Sequence, residues 1–333
     1  MGGAGFLGSH LVDHLVEDRN CYVLVVDNLC AGRREYVHPR ADFEHHDITG
    51  SEDHVLRLLL DYSAEYVFNY AAHPYVPDSY ERPLRVFDVN AVGAMKVVNA
   101  AQAAGCKGIL QVSSAELYGE GTRHSHNEHC PDFEHNKIDE MDEVVPHSTY
   151  GAAKAAIDAW VGVRWREAET PCIALRQFNC VGERETHPYV VPEIISQLSK
   201  VIEVSRPGDL PHLVFVKLGN NSYRDFLYAG DQARIAVELL ERGNFGEVYN
   251  LGSESGIKMY DLARMIGKLM GFAEVEVVKD QARVRLWEIW SLLSSNEKIY
   301  SIIEGRPSTS LEEALKKTIQ WYGQVGRRWP WEK

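Results

Sequence analysis

Nowhere in its 333 residues does this sequence run apolar for long enough to span a bilayer, and no secretory leader pattern is present. A cytoplasmic setting with no membrane partner is the expectation. Positive charge is in deficit: 35 Lys and Arg against 48 Asp and Glu leave a formal net charge of −13. That balance argues against a nucleic-acid partner or an anionic membrane surface, while leaving room for a local basic pocket. The six cysteines (21, 30, 106, 130, 172 and 180) include no Cys-x-x-Cys pair and sit mainly in apolar stretches. Free thiols in a reducing compartment are expected.

With 45% hydrophobic residues the chain can bury a large core. Its length suits one cofactor domain with a smaller second lobe. The first eight residues, Met-Gly-Gly-Ala-Gly-Phe-Leu-Gly, place Gly2, Gly5 and Gly8 directly before an amphipathic stretch, Ser9 to Glu17. Glycines let the backbone approach a ligand, and a helix start offers free N–H groups to a pyrophosphate. Cys21 to Val26 is a continuous apolar run suited to a buried parallel strand. It ends at Asp27, 19 residues after Gly8, close to the spacing at which a carboxylate meets the adenosine ribose. An acid there repels a 2′-phosphate, so NAD is favoured over NADP; Arg33 and Arg34 soften that preference. Such a loop normally leaves the end of a strand that is missing here, and a recorded start inside a longer gene product is the expectation.

Downstream, β and α patterns alternate. Strands are expected at 42–48, at Tyr66–Tyr70 and at Gly108–Val112, and a helix from Pro83 to Ala104. This predicts a doubly wound parallel sheet, with chemistry just beyond the strands' carboxyl ends. The strand at 108–112 leads into Ser113-Ser114-Ala115-Glu116, hydroxyls and an acid suited to a sugar. His124, His126, His129 and Cys130 bunch together, but their spacing matches no standard zinc site and no metal is expected. In the Ala-rich helical stretch 146–160, Tyr150 and Lys154 lie four apart and share one face. A nearby ammonium, reinforced by a nicotinamide's positive charge, favours a phenolate that could take a hydroxyl proton as hydride leaves the same carbon. Ser114 could hydrogen-bond the same oxygen. Leu311, Leu315, Thr318 and Ile319 mark a closing helix with a core face. Nothing decides the role of the tail, Trp329-Pro-Trp331.

Together these residues resemble the extended short-chain dehydrogenase/reductase family, specifically its NAD-dependent nucleotide-sugar epimerases and dehydratases. GGAGFLG, Asp27-Asn28, Asp47-Ile48, Ala71-Ala72, Asn90, SSAELYG and Tyr150-x-x-x-Lys154 stand in the family's order. The resemblance implies a Rossmann domain that holds NAD through Gly2, Gly5, Phe6, Leu7, Gly8, Asp27, Asn28, Asp47, Ile48, Ala71, Ala72, Asn90, Tyr150 and Lys154. It also implies a nucleotide-diphosphate sugar bound through Asn179, Val191, Arg224 and either Arg283 or Arg285, where Leu286 replaces the usual proline. The implied division is 1–177 with 224–251 for the cofactor, and 178–223 with 252–333 for the nucleotide sugar; a homodimer is implied as well.

The family's shared step is oxidation of the sugar at C4. Ser114, Glu116, Tyr150 and Lys154 are the expected catalytic set. Glu116 stands where dehydratases and uronic acid decarboxylases carry Glu, and could accept a C5 proton. Ala115 can neither protonate a leaving hydroxyl nor hydrogen-bond. The reading leans to a 4,6-dehydratase, with a 4-epimerase or a uronic acid decarboxylase as alternatives, and a non-catalytic NAD sensor or scaffold as a different class.

Overall fold

The computed structural model describes residues 1–119, 136–185, 188–206, 209–285 and 287–325. The histidine cluster, Cys130, Leu286 and the tryptophan tail lie outside them. Among the described residues, no helix is long and apolar enough to cross a membrane, and no three His, Cys, Asp or Glu side chains gather as a metal site. The five cysteines described there are free thiols.

The chain opens with the glycine turn and α1 (Phe6–Glu17), then β1 (Leu24–Asp27), β2 (Asp42–His45), α2 (Glu52–Asp61) and β3 (Tyr66–Asn69). Short helices α3 (Asp78–Glu81) and α4 (Pro83–Phe87), a π-helical segment at Asp88–Gly93 and α5 (Ala94–Ala103) lead to β4 (Gly108–Val112). Next come α6 (Thr149–Ala168), β5 (Cys172–Gln177), β6 (Asn179–Val181), α7 (Val190–Val204), β7 (Leu213–Leu218) and β8 (Tyr223–Tyr228). The remainder is α8 (Ala229–Arg242), β9 (Val248–Leu251), β10 (Gly256–Lys258), α9 (Met259–Leu269), β11 (Glu274–Lys279), β12 (Ser291–Leu292), α10 (Glu297–Tyr300) and α11 (Leu311–Val325).

The pairing is that of a doubly wound sheet: β3-β4-β5-β9 are parallel throughout, and β1-β2 form a second parallel pair. Met1 and Gly2 link the two. The Met1 amino group donates to Phe68 O at 2.9 Å, Tyr70 N donates to Met1 O at 3.0 Å, and Gly2 N donates to Val26 O at 2.8 Å. Both faces of the sheet are covered, as a parallel sheet requires. One face carries Val97, Val98, Ile109 and Val161; the other carries Leu110, Leu175, Ile235 and Leu239. A separate core joins α7, β7, α9, β11 and α11 through Ile194, Leu198, Val216, Leu262 and Leu315. Leu311 and Ile319 pack against that core, and Thr318 is buried.

Among the boundaries that differ from the sequence expectation, three have a clear local reason. β1 begins at Leu24, because Cys21 and Tyr22 are exposed rather than sheet-paired. β2 ends at His45, because the Asp47 carboxylate accepts from Thr49 N and Thr49 Oγ1 at 2.9 and 2.7 Å and turns the chain. The helix expected over 83–104 is broken at its middle by the π segment, where the Asn90 amide donates to Val86 O and His73 O. An extra residue per turn there aims a side chain sideways, a common use of π-bulges.

Candidate active site

A cavity of about 1090 Å³ lies beyond the carboxyl ends of β1, β3, β4 and β5. At one end the glycine turn meets the strands. Gly2 has φ +75°, and a Cβ on it would lie 2.5 Å from Ala71 N; a Cβ on Gly8 would lie 2.1 Å from Gly2 O. Only glycine fits either place. Asp27 Oδ2 accepts from Ala4 N at 3.0 Å and Oδ1 from Leu29 N at 2.8 Å, so the carboxylate is fixed at the cavity wall with acceptor capacity to spare. Burial acts to raise the Asp47 carboxyl, but hydrogen bonds from Thr49, Asn28 and Arg85 override it and hold the group well below the usual carboxylate range. Phe6, Leu7, Asn28, Ile48, Ala71 and Ala72 line the same end. This cradle fits a dinucleotide: a close-approach glycine turn, a helix start and a carboxylate at the next strand's end.

Asn90 differs from its companions. It is fully buried behind the cavity, and its side chain braces the His73 backbone rather than lining the wall.

At the centre, α6 delivers Tyr150 and Lys154 and the turn after β4 delivers Ser114 and Glu116; all four line the cavity. Ser148 caps α6 by accepting from Gly151 N at 3.1 Å, which fixes where its first turn begins. Burial pushes the Tyr150 phenol up to about 12, while the Ser114 hydroxyl, hydrogen-bonded to it, pulls it down. Burial lowers Lys154 to about 8, against the pull of Asp158. The Lys154 ammonium donates to Val112 O at 2.9 Å rather than to the Tyr150 phenol. Glu116 is half-buried, its Oε1 3.7 Å from the Arg285 guanidinium and its Oε2 buried without a partner. Ala115 is 1% exposed and offers the cavity no polar atom.

At the far end stand Asn179, Val191, Arg224, Arg283 and Arg285. Asn179 Oδ1 is buried and unpartnered. The Arg224 guanidinium is lowered by burial and steadied by Glu288 at 2.7 Å. Arg283 pairs with Glu193 at 2.7 Å, and Arg285 with Glu116. Both arginines of the undecided pair therefore reach the cavity, but only Arg285 touches the central carboxylate.

Sequence reasoning missed Glu185, Tyr189 and Glu288, which also line this space. Glu288 follows Arg285 by three residues and could have been read as its partner; it pairs instead with Arg224, 64 residues away. Glu185 sits in a polar run that gives no signal of burial, yet it is 4% exposed.

A parallel doubly wound sheet with a dinucleotide cradle and a Ser-Tyr-Lys set defines a nicotinamide-dependent enzyme class. Residues 1–252 match the NAD dependent epimerase/dehydratase family, and the chain belongs to it. It is 28% identical over 338 residues to the dTDP-D-glucose 4,6-dehydratase of Mus musculus, covering 98% of this chain and 89% of that one. The UDP-glucose 4-epimerase of Thermotoga maritima, solved with UDP-glucose, superposes with TM-score 0.81 at 26% identity and 97% coverage of both chains. The Thermus thermophilus UDP-glucose 4-epimerase, solved with NAD, superposes with TM-score 0.80 at 25% identity and 96% coverage of both. The protein is thus an NAD-dependent enzyme of the nucleotide-sugar epimerase and dehydratase class, and the sensor or scaffold reading falls away.

Proposed function

We propose that the protein is a nucleotide-sugar 4,6-dehydratase, on one observation: a carboxylate, Glu116, shares the cavity wall with Ser114 and Tyr150 and keeps one buried oxygen without a partner. NAD would supply the redox chemistry, as acceptor and then donor of the hydride exchanged with the sugar. Gly2, Gly5, Gly8, Asp27, Asn28, Asp47 and Lys154 line the cavity and would hold the dinucleotide. Tyr150 receives the C4 hydroxyl proton, and Ser114 hydrogen-bonds the same oxygen. Glu116 then removes the C5 proton, which the neighbouring C4 ketone has acidified. Asn179 and Arg224 hold the diphosphate and Arg285 closes over it; Val191 packs beside the nucleotide.

A 4-epimerase is favoured by one observation, the buried methyl of Ala115, which cannot serve a departing hydroxyl. In that reading Glu116 only anchors Arg285. We assign the cofactor lobe to 1–177 with 224–251 and the sugar lobe to 178–223 with 252–333. A cytoplasmic homodimer is part of the proposal; exposed Leu84, Phe87 and Val92 on the segment leading into α5 support an apolar subunit face. Mass spectrometry of products from a panel of UDP-, dTDP-, GDP- and CDP-sugars, uronic acids included, tests the activity. Loss of one water supports dehydration, unchanged mass with altered mobility means epimerisation, and loss of carbon dioxide means decarboxylation.

A further inference from the structure

Elimination across C5 and C6 of a hexose expels hydroxide, a poor leaving group that needs a proton as it departs. Ala115 cannot supply it. Among the described residues, six carboxyl groups line the cavity: Asp27, Asp47, Glu116, Glu185, Glu193 and Glu288. Asp27 and Asp47 belong to the adenosine end and are committed to backbone, Asn28, Thr49 and Arg85 donors. Glu193 faces Arg283 and Glu288 faces Arg224, both at 2.7 Å, which commits each to an ion pair. Glu116, beside Arg285, is the group that must accept a proton.

Glu185 is unlike the rest. It is 4% exposed, and among the described residues its Oε2 has no hydrogen-bond partner and no cation pairs with it. Burial alone raises its carboxyl well above the carboxylate range, the behaviour of an acid kept neutral by an apolar wall. Tyr322 OH donates to its backbone carbonyl at 2.8 Å and holds that stretch against α11. It acts electrostatically on Tyr189, whose ring neighbours Tyr75 at 6.0 Å and which also feels Tyr150 and Arg285. Glu185 thus lines the same cavity as Ser114, Glu116 and Tyr150.

We propose that Glu185 is the acid that protonates the C6 hydroxyl as it leaves. The inference rests on the dehydratase reading. The C5–H bond breaks and its proton passes to Glu116; the electron pair forms the C5=C6 bond of the 4-keto sugar. The C6–O bond breaks, and the oxygen leaves as water with the proton of Glu185. Glu116 returns its proton to C5 as hydride returns to C6. The proton that Tyr150 took from the C4 hydroxyl balances the one Glu185 gave up, through solvent.

The test compares wild type and Glu185→Gln on dTDP-glucose, UDP-glucose and their 6-deoxy-6-fluoro analogues, since fluoride leaves without protonation. Glu185→Gln is expected to slow water loss by about 100-fold or more, the usual weight of a general acid, while fluoride release stays within about threefold of wild type. Exchange of C5–H in D2O is expected to persist, because Tyr150 and Glu116 remain. Infrared difference spectra of the ligand-free proteins are expected to show a protonated carboxyl band that Glu185→Gln removes. Unchanged water loss, fluoride release falling in parallel with it, or a missing band overturns the assignment. Failure of the wild type itself to eliminate water overturns the dehydratase reading, and this one with it.

Discussion

The Lys154 ammonium lies 5.8 Å from the centre of the Tyr150 ring and donates its hydrogen bond not to the phenol but to Val112 O, at 2.9 Å. The pair on which the chemistry turns is thus held by β4, one residue before the turn that carries Ser114. Burial pushes the phenol up to about 12, so it stays protonated at neutral pH, and lowers the ammonium to about 8, so it is mostly charged there. The ligand-free site is poised on the lysine rather than on the tyrosine.

A lysine whose pKa is depressed on folding loses its proton as pH rises through the folded value, here about 8. The free-enzyme profile, kcat/KM against pH, is therefore expected to fall above about pH 8. Lys154→Arg moves that limb out of the accessible range, because a guanidinium stays charged. A limb left in place by Lys154→Arg assigns it to another group.

Tyr150→Phe removes the group that takes the C4 proton and leaves the cradle intact. Turnover is expected to fall by about 10³-fold or more, while calorimetry finds NAD affinity little changed. Near-wild-type turnover removes Tyr150 from the mechanism.

Gly8→Ala forces a Cβ to within 2.1 Å of Gly2 O, far inside contact distance. The turn must shift, and NAD affinity by calorimetry is expected to drop about tenfold or more, a loss of about 1.4 kcal/mol. Gly5→Ala, whose Cβ meets Gly2 O at 3.4 Å, is expected to leave the thermal midpoint close to wild type.

Arg224→Met strands Glu288 in a buried site. Breaking one side of such a pair destabilises by about 3–5 kcal/mol, whereas replacing both partners with apolar groups is often neutral. Arg224→Met with Glu288→Met is expected to recover the thermal midpoint while KM for the nucleotide sugar stays raised. Recovery of both would confine Arg224 to a structural role.

Much of the fold was legible because its signals are local. The buried runs at 24–27, 66–69 and 108–112, the glycines at 2, 5 and 8, and Tyr150 four residues before Lys154 each announce themselves within a few positions. Boundaries were less legible where a side chain ends an element, as Asp47 ends β2 and Asn90 interrupts the helix before α5. Of the cavity residues, those in motifs were readable. Glu288 and Glu185 were not, because the first finds Arg224 64 residues away in sequence and the second is set apart only by burial, which folding creates. Asn90 was read with the cofactor residues; its buried side chain is bonded to the His73 backbone.

The central claim is dehydration by transient oxidation at C4, and one isotope decides it. Nucleotide hexoses deuterated at C4 are incubated with the protein and NAD, and the product is examined by mass spectrometry and NMR. The account predicts a product lighter by one water with the deuterium carried to C6. A product of unchanged mass with the deuterium still at C4 would contradict it and make the protein an epimerase.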